Sequence, residues 1–501
     1  MRSKKALINI ATAVFLEIVK LVCGFIAPIM IINTYGSAVN GLISSITKFL
    51  AYITLLESGI GPVIKAALYK PIMKKDNQEI ANILKAAEKF FRIIAIIFVA
   101  YIIVLCILYP LLINNQFDTW FTISLILIIS ISTFAEYFFG LTYRVFLQAD
   151  QKKYIVSNIE IITTIMNTIL IVLLIKLGST IQIVKLISAF IFVLRPVLLN
   201  VYFKKKYTIN LKEASKDYEL KGKWDGLSQH IASVVHDNTD VVVITIFLNM
   251  IEVSVYSVYL LIINGVRRFV ESVASGMDAT FGDMIAREEK ENLKEKFSVY
   301  ETGYFSLITI IYICILTLII PFVSVYTKAA TDADYIRPAF AIIMVLAEFV
   351  FAIRLPYNSL ALSGGFLKET KKGGWLEAIT NIVLSIILVQ KFGIVGVAIG
   401  TLVAMIIRTI EFMFFSSRVI LKRSIRVIIK KMMCTMVQVI VMVLINTFVI
   451  SNHITVSSYI NWILYAIIVF VITSIEVLCI NYLLFKKDFS KMKDIFKSLK
   501  K

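Results

Sequence analysis

Apolar runs of twenty residues or more recur along the whole of this 501-residue chain, and that recurrence limits the possible folds more than any single residue does. A helix of about 20 residues crosses a hydrocarbon core of about 30 Å. Inside that core every backbone polar group must find its partner within the segment, which leaves helices as the building unit for runs of this length. The sequence therefore predicts an all-α polytopic membrane protein of about fourteen transmembrane helices. They are expected near 7–32, 38–68, 90–113, 120–147, 154–177, 181–203, 227–249, 252–282, 300–326, 337–363, 374–390, 394–417, 427–450 and 459–485. The balance of 59% hydrophobic to 17% charged residues excludes an ordinary soluble domain.

The first run follows Arg2, Lys4 and Lys5 but is too long for a secretory signal, and no small-residue cleavage site follows it, so it reads as a retained helix. A formal net charge of +19 would suggest nucleic acid in a soluble protein. Here the charge lies between the runs, so no nucleic-acid partner is expected. Basic connections alternate with short, lysine-poor ones, roughly 37 basic residues in one set against about 4 in the other, which orients both termini to the cytoplasm. The longest basic connection divides the chain. The expected organisation is a six-helix lobe over 1–206, a cytoplasmic linker at 207–226, a second six-helix lobe over 227–420, two further helices over 421–485 and a basic amphipathic tail at 486–501. In the tail, Phe489, Met492, Ile495, Phe496 and Leu499 recur at helical spacing among lysines, as in a helix lying on an anionic leaflet or a solvated terminal helix. A second amphipathic stretch, with Ile80, Ile83, Leu84 and Ala87, links the second and third runs.

The two lobes carry matching segments. Ala135-Glu136-Tyr137 parallels Ala347-Glu348-Phe349, and Leu141-Thr142-Tyr143 parallels Leu355-Pro356-Tyr357. Lys176-Leu177-Gly178 likewise parallels Lys391-Phe392-Gly393, and Arg195 falls opposite Arg408. The common offset of about 212 to 215 residues and an even number of helices per lobe make the repeats parallel in the membrane, an arrangement that puts a substrate path where the lobes meet.

Charged residues within the runs are the informative positions, since each costs about 2.5 to 3.5 kcal/mol at a helix centre on insertion scales. They comprise Glu17, Lys20, Lys48, Glu57, Glu136, Arg144, Arg195, Asp237, Asp240, Arg267, Arg268, Glu271, Glu348, Arg354, Arg408, Glu411 and Glu476. Glu17 with Lys20, Arg268 with Glu271 and Arg408 with Glu411 stand three apart on one helix face, where mutual neutralisation competes with a functional role. Lys48 and Arg354 have no acidic neighbour at that spacing, and an arginine fork fits phosphate oxygens. Acids and bases are about equal in number there, so sign alone does not name a substrate.

The seventh run is polar for a span, with Ser228, Gln229, His230, Ser233, His236, Asp237, Asn238, Thr239 and Asp240, and must line a wet cavity or pack on protein. Gly396-x-x-x-Gly400, Ser58-Gly59 and Ser275-Gly276 allow close helix approach, and Pro62, Pro196 and Pro356 mark points where helices kink. The five cysteines, Cys23, Cys106, Cys314, Cys434 and Cys479, form no CxxC pair and read as buried thiols, so neither disulfide nor metal is expected. No Walker A loop, dinucleotide fingerprint or nucleophile elbow is found, and no cofactor is expected.

The stretch Asp240-Val-Val-Val-Ile-Thr-Ile-Phe through Glu252-Val-Ser-Val-Tyr256-Ser-Val-Tyr259, the segment Lys391-Phe-Gly-Ile-Val-Gly-Val-Ala-Ile-Gly400-Thr401 and the twelve-plus-two layout resemble the multidrug/oligosaccharidyl-lipid/polysaccharide exporter superfamily. Within it the chain is similar to Wzx-type polysaccharide repeat-unit flippases. The resemblance implies two six-helix lobes around a central cavity, alternating access, and passage of an undecaprenyl-diphosphate-linked glycan across the bacterial cytoplasmic membrane, with no enzyme activity. It further implies contact with membrane lipid and with other polysaccharide-assembly proteins. Carried onto this sequence, it makes Lys20, Lys48, Arg268, Arg354 and Arg408 candidate substrate contacts, and Glu17, Asp240 and Glu348 their ion-pair or ion-coupling partners. A multidrug cation antiporter of the same superfamily is the first alternative. A membrane-embedded glycosyltransferase or polymerase is the second, with only Asp332-Ala333-Asp334 resembling acidic catalytic groups.

Overall fold

The computed structural model describes residues 2–57, 60–114, 116–211, 213–215, 218, 227–366, 369–446 and 456–499. The side chains at 2–4, 6, 227–230, 233 and 495–499 lie outside the description, as do Ser58-Gly59 and most of the 207–226 linker. The chain is all-helical among the described residues, and thirteen segments are long and apolar enough to cross a membrane.

The first unit, Met1–Ser257, begins with α1 (Arg2–Tyr35), α2 (Ser37–Ala51), α3 (Thr54–Glu57) and α4 (Ile60–Lys74). The second expected run is thus three pieces. Pro62 falls in the first turn of α4, where its missing N–H is one the helix does not need. Next comes α5 (Asn77–Leu112), a single helix of 36 residues that absorbs the amphipathic link and starts where the Asp76 carboxylate accepts from the Glu79 N–H at 2.9 Å. The fourth run is α6 (Thr119–Ala135), a π-helical turn at Glu136–Gly140, and α7 (Leu141–Ala149). It is followed by α8 (Lys153–Lys176), α9 (Ile181–Lys206) and α10 (Leu227–Phe247). The seventh run is therefore helical but too polar to count among the thirteen.

The second unit, Val258–Lys501, contains most of α11 (Met250–Ser275), then α12 (Asp278–Ala286), α13 (Lys290–Tyr326), α14 (Pro338–Ser363), α15 (Lys371–Phe392) and α16 (Ile394–Phe415). A π-helical turn at Ser416–Ile420, α17 (Ile425–Ile445), α18 (Tyr459–Leu484) and α19 (Lys486–Leu499) complete it. The division after Ser257 follows from α10 packing on α2 and α3.

Close backbone approaches define the packing. A Cβ on Gly41 would fall 1.8 Å from the Met250 carbonyl oxygen, so α2 meets the start of α11 with no room for a side chain. Polar groups seal the same face of the first unit. Asn40 donates to Ser254 Oγ at 2.8 Å, Ser45 and Thr245 hydroxyls are 2.7 Å apart, and the buried Tyr109 hydroxyl donates to Ser45. In the second unit a Cβ on Gly396 would lie 2.2 Å from the Leu388 carbonyl oxygen, and one on Gly400 2.6 Å from Ser385 Oγ. Small residues therefore let α15 and α16 close into a hairpin. The matched turns Lys176-Leu177-Gly178 and Lys391-Phe392-Gly393 share their chemistry, since both glycines adopt positive φ, +73° and +56°.

The C-terminal helices are held by a buried ionic hub. Glu301 on α13 is fully buried and takes the Arg423 guanidinium on both oxygens, Lys431 Nζ of α17 at 2.9 Å and the Tyr357 hydroxyl of α14 at 2.5 Å. Lys431 also reaches Asp488 of α19 at 3.2 Å, and Thr302 donates to that carboxylate at 2.6 Å. The tail helix thus docks on α13 through Asp488, and Met492 Sδ sits 3.4 Å from where a Gly303 Cβ would stand. Ile495, Phe496 and Leu499, expected on the apolar face, lie outside the described side chains.

Candidate functional site: a repeated arginine and glutamate cluster

In the first unit the π-helical turn at Glu136–Gly140 and α7 bring Glu136, Gly140 and Arg144 to one cavity wall, facing α8 and α9. Gly140 permits that approach, because a Cβ there would meet Pro196 Cβ of α9 at 2.6 Å. Arg144 Nη2 donates to Glu160 Oε1 at 2.5 Å, and its Nη1 donates to Glu136. Lys20 of α1 completes the group, with Nζ 3.0 Å from Glu160 Oε2 and 3.6 Å from Glu17. Glu160 is buried, and a buried carboxylate keeps its charge only if cations and donors replace the lost water. Arg195 of α9 lies over the Phe192 ring at 4.3 Å and donates to Thr163 Oγ1 at 2.7 Å and Thr164 Oγ1 at 2.8 Å.

Two cavities open on this cluster. One, of about 110 Å³, is lined by Ser132, Thr133, Glu136, Arg144, Glu160 and Arg195 among others. The second, of about 350 Å³, is lined by Thr47, Thr54, Glu57, Glu136, Tyr137 and Arg144 among others. Thr133, Glu136 and Arg144 border both. Tyr137 donates to Glu57 at 2.9 Å, so the second cavity has a carboxylate held by a phenol beside the Arg144 guanidinium.

The second unit repeats the pattern. Arg354 of α14 donates to Glu377 of α15 at 2.5 Å, and Arg408 Nε of α16 is 3.7 Å from the same carboxylate. Arg408 Nη1 also donates to Glu411 at 2.5 Å and to the Thr370 carbonyl at 2.7 Å. An arginine (Arg144 of α7, Arg354 of α14) paired with a glutamate of the next helix (Glu160 of α8, Glu377 of α15), with an arginine of the helix after that (Arg195 of α9, Arg408 of α16) beside them, is therefore common to both units. Here the space is filled: a Cβ on Gly373 would fall 1.5 Å from Glu411 Oε2 and 2.3 Å from Arg408 Nη1. Arg267 of α11 extends the cluster, reaching Glu271 at 3.2 Å and Glu348 at 3.7 Å. The Phe351 ring lies under two guanidiniums, Arg267 at 4.0 Å and Arg354 at 4.6 Å.

Of the sequence candidates, Lys20 and Glu17 thus join the first cluster, and Arg354, Arg408 and Glu348 the second. Lys48 donates to the Asp237 carbonyl at 3.3 Å, and Asp240 accepts from Tyr256 at 2.8 Å. Arg268 is exposed on the same helix, and Arg267 beside it reaches Glu271 at 3.2 Å, a four-residue pair that the spacing argument did not name. Arg144, Glu136, Glu160 and Glu377 are additional members. For Arg144 and Glu136 the signal was a charge within an apolar run, whereas Glu160 and Glu377 lie near the starts of their helices and drew no notice. No group of three His, Cys, Asp or Glu side chains suited to a metal occurs among the described residues. Cys479 is exposed and the other four cysteines are half-buried, contrary to the expected burial.

No family model and no curated protein matches the sequence. Solved structures do match in fold. A lipid II flippase MurJ in an inward closed conformation aligns with a TM-score of 0.68 at 16% identity, over 95% of this chain and 99% of that one. An inward-facing multidrug resistance MATE family transporter of the MOP superfamily aligns at 0.58 and 15%, over 80% and 94%. The eukaryotic MATE transporter AtDTX14 aligns at 0.56 and 14%, over 82% and 95%. The chain has the helical fold that this flippase and these transporters share.

Proposed function

We propose that this protein is a flippase that moves an undecaprenyl-diphosphate-linked oligosaccharide across the bacterial cytoplasmic membrane by alternating access, with both termini cytoplasmic. The observation that carries the reading is the Arg144 guanidinium, which lines two cavities within the spanning helices of the first unit. An intramembrane guanidinium on a cavity wall is suited to phosphate oxygens, for geometric as well as charge reasons. Near-complete coverage of both chains in the alignment with the lipid II flippase supports the same reading. In this account Arg144, with Lys20 beside its partner Glu160, contacts the substrate's diphosphate, while Lys48, Arg268, Arg354 and Arg408 are proposed as further contacts along the substrate's path and Glu17, Asp240 and Glu348 as groups that hold cations in place or couple an ion.

A second reading, export of organic cations, draws on the carboxylates Glu57 and Glu136 in the larger cavity and on the MATE transporters' shared fold. Deleting the gene separates the two. The flippase reading expects lipid-linked glycan to accumulate at the cytoplasmic face with unchanged sensitivity to organic cations. Drug hypersensitivity with normal surface glycan would favour the antiporter.

A further inference from the structure

Arg195 and Arg408 occupy matching places in the repeat, yet their surroundings differ. Arg408 has carboxylates at 2.5 and 3.7 Å. Arg195 is held by two threonine hydroxyls, and no carboxylate lies within 4 Å of it among the described residues. The threonines take Nε and Nη2, which fixes the guanidinium plane, and the two N–H groups of Nη1 take no part in those bonds. A half-buried cation within spanning helices whose direct partners are all neutral favours an anion or water beside it, and Glu136 and Glu160 on the same wall offset only part of its charge.

The space beside Arg195 is polar and small. At about 110 Å³ it lies below the roughly 300 Å³ at which pockets for drug-sized ligands begin. Its wall adds the Ser132 and Thr133 hydroxyls and the Arg144 guanidinium. Two guanidiniums and two hydroxyls around a space this size match the oxygens of one phosphoryl group, with the Glu136 and Glu160 carboxylates on the same wall competing for Arg144. Glu160, on the same wall, holds Arg144 at 2.5 Å and so stands where an incoming oxyanion would compete.

We propose that Arg195 and Arg144 form a phosphate subsite in the first unit, and that Glu160 is the internal carboxylate which a bound phosphate displaces from Arg144. The proposal rests on the flippase reading for the identity of the phosphate's carrier.

The test uses the full-length protein in neutral-lipid nanodiscs, with binding of labelled farnesyl diphosphate measured against farnesol and with free pyrophosphate as competitor. Arg195→Gln is expected to weaken farnesyl diphosphate binding by about tenfold or more while leaving farnesol binding unchanged. Glu160→Gln is expected to strengthen it, because one of the two carboxylates that hold Arg144 is neutralised and Glu136 alone remains; a purely structural ion pair would lower thermal stability and leave affinity unaltered. Competition by pyrophosphate supports a site that needs phosphate alone. Failure to compete, with Arg195 dependence retained, supports a lipid-borne phosphate. Wild-type affinity in Arg195→Gln overturns the proposal. Should that variant not fold, Arg195→Lys decides, since a fork that binds phosphate loses several-fold affinity on this change and a structural charge loses none. Arg195-dependent binding without glycan accumulation on gene deletion would remove the flippase reading and keep the subsite. Accumulation without Arg195 dependence would do the reverse.

Discussion

Arg144 donates to Glu160 at 2.5 Å across the α7–α8 pair, and each of these two residues also engages a further group of opposite charge, Glu136 for the arginine and Lys20 for the glutamate. Among these residues only Glu160 is buried, and without it Arg144 keeps Glu136 and Lys20 keeps Glu17. Glu160→Ala is therefore expected to lose stability, but by less than the about 3–5 kcal/mol of breaking a fully buried pair. Arg144→Ala/Glu160→Ala should lose less than the sum of the single changes, as measured by a double-mutant cycle on thermal or denaturant unfolding in detergent. Strict additivity would place the two side chains apart.

Arg354→Ala is expected to insert and accumulate in the membrane while reducing export of surface glycan. Arg408 remains near Glu377 in that variant and still offsets part of its charge. Quantifying surface polysaccharide against membrane abundance checks this, and normal export at normal abundance removes Arg354 from the substrate's path.

Glu301 organises α13, α14, α17 and α19 through Arg423, Lys431 and Tyr357. Replacing it by Ala leaves two cations in a fully buried place, with a loss of about 3–5 kcal/mol or more expected. Asp488→Asn is milder and local: it should free α19 to proteolysis at concentrations where the wild-type tail resists, with the remaining helices intact. Equal cleavage rates would show that Asp488 does not anchor the tail.

At Gly41 the obstacle is backbone, not a movable side chain, since a Cβ would stand 1.8 Å from the Met250 oxygen. Gly41→Val is therefore expected to separate α2 from α11 or abolish folding. A cysteine pair reporting on that contact, Asn40→Cys with Ser254→Cys, should cross-link in the otherwise native chain and fail to do so in Gly41→Val. Undiminished cross-linking would contradict the close approach.

The spans were legible in sequence because a bilayer imposes one length and one composition on every helix, and the matched turns were legible as glycines at a common offset, Gly178 and Gly393, both of which adopt positive φ. Pairings on one helix were legible only in part. Glu17–Lys20 and Arg408–Glu411 follow from spacing, but the Arg267–Glu271 pair, four residues apart, was not anticipated. Pairs between helices were not legible: Arg144 and Glu160 are 16 residues apart, Arg354 and Glu377 are 23 apart, and their contact depends on how the helices are rotated toward each other. Glu301 escaped notice because it stands at the expected start of its span, where a carboxylate reads as solvated. The π-helical turn at Glu136–Gly140 left no periodic trace either, although it decides which side chains of the fourth run face the cavity.

The most direct measurement is transport by the purified chain in proteoliposomes, using a fluorescent polyprenyl-diphosphate saccharide and a reagent that quenches only one leaflet. The account predicts that the wild-type protein moves the label between leaflets faster than protein-free vesicles do, and that Arg144→Gln abolishes the acceleration. No acceleration by the wild-type chain, together with uptake of an organic cation by the same vesicles, would contradict it.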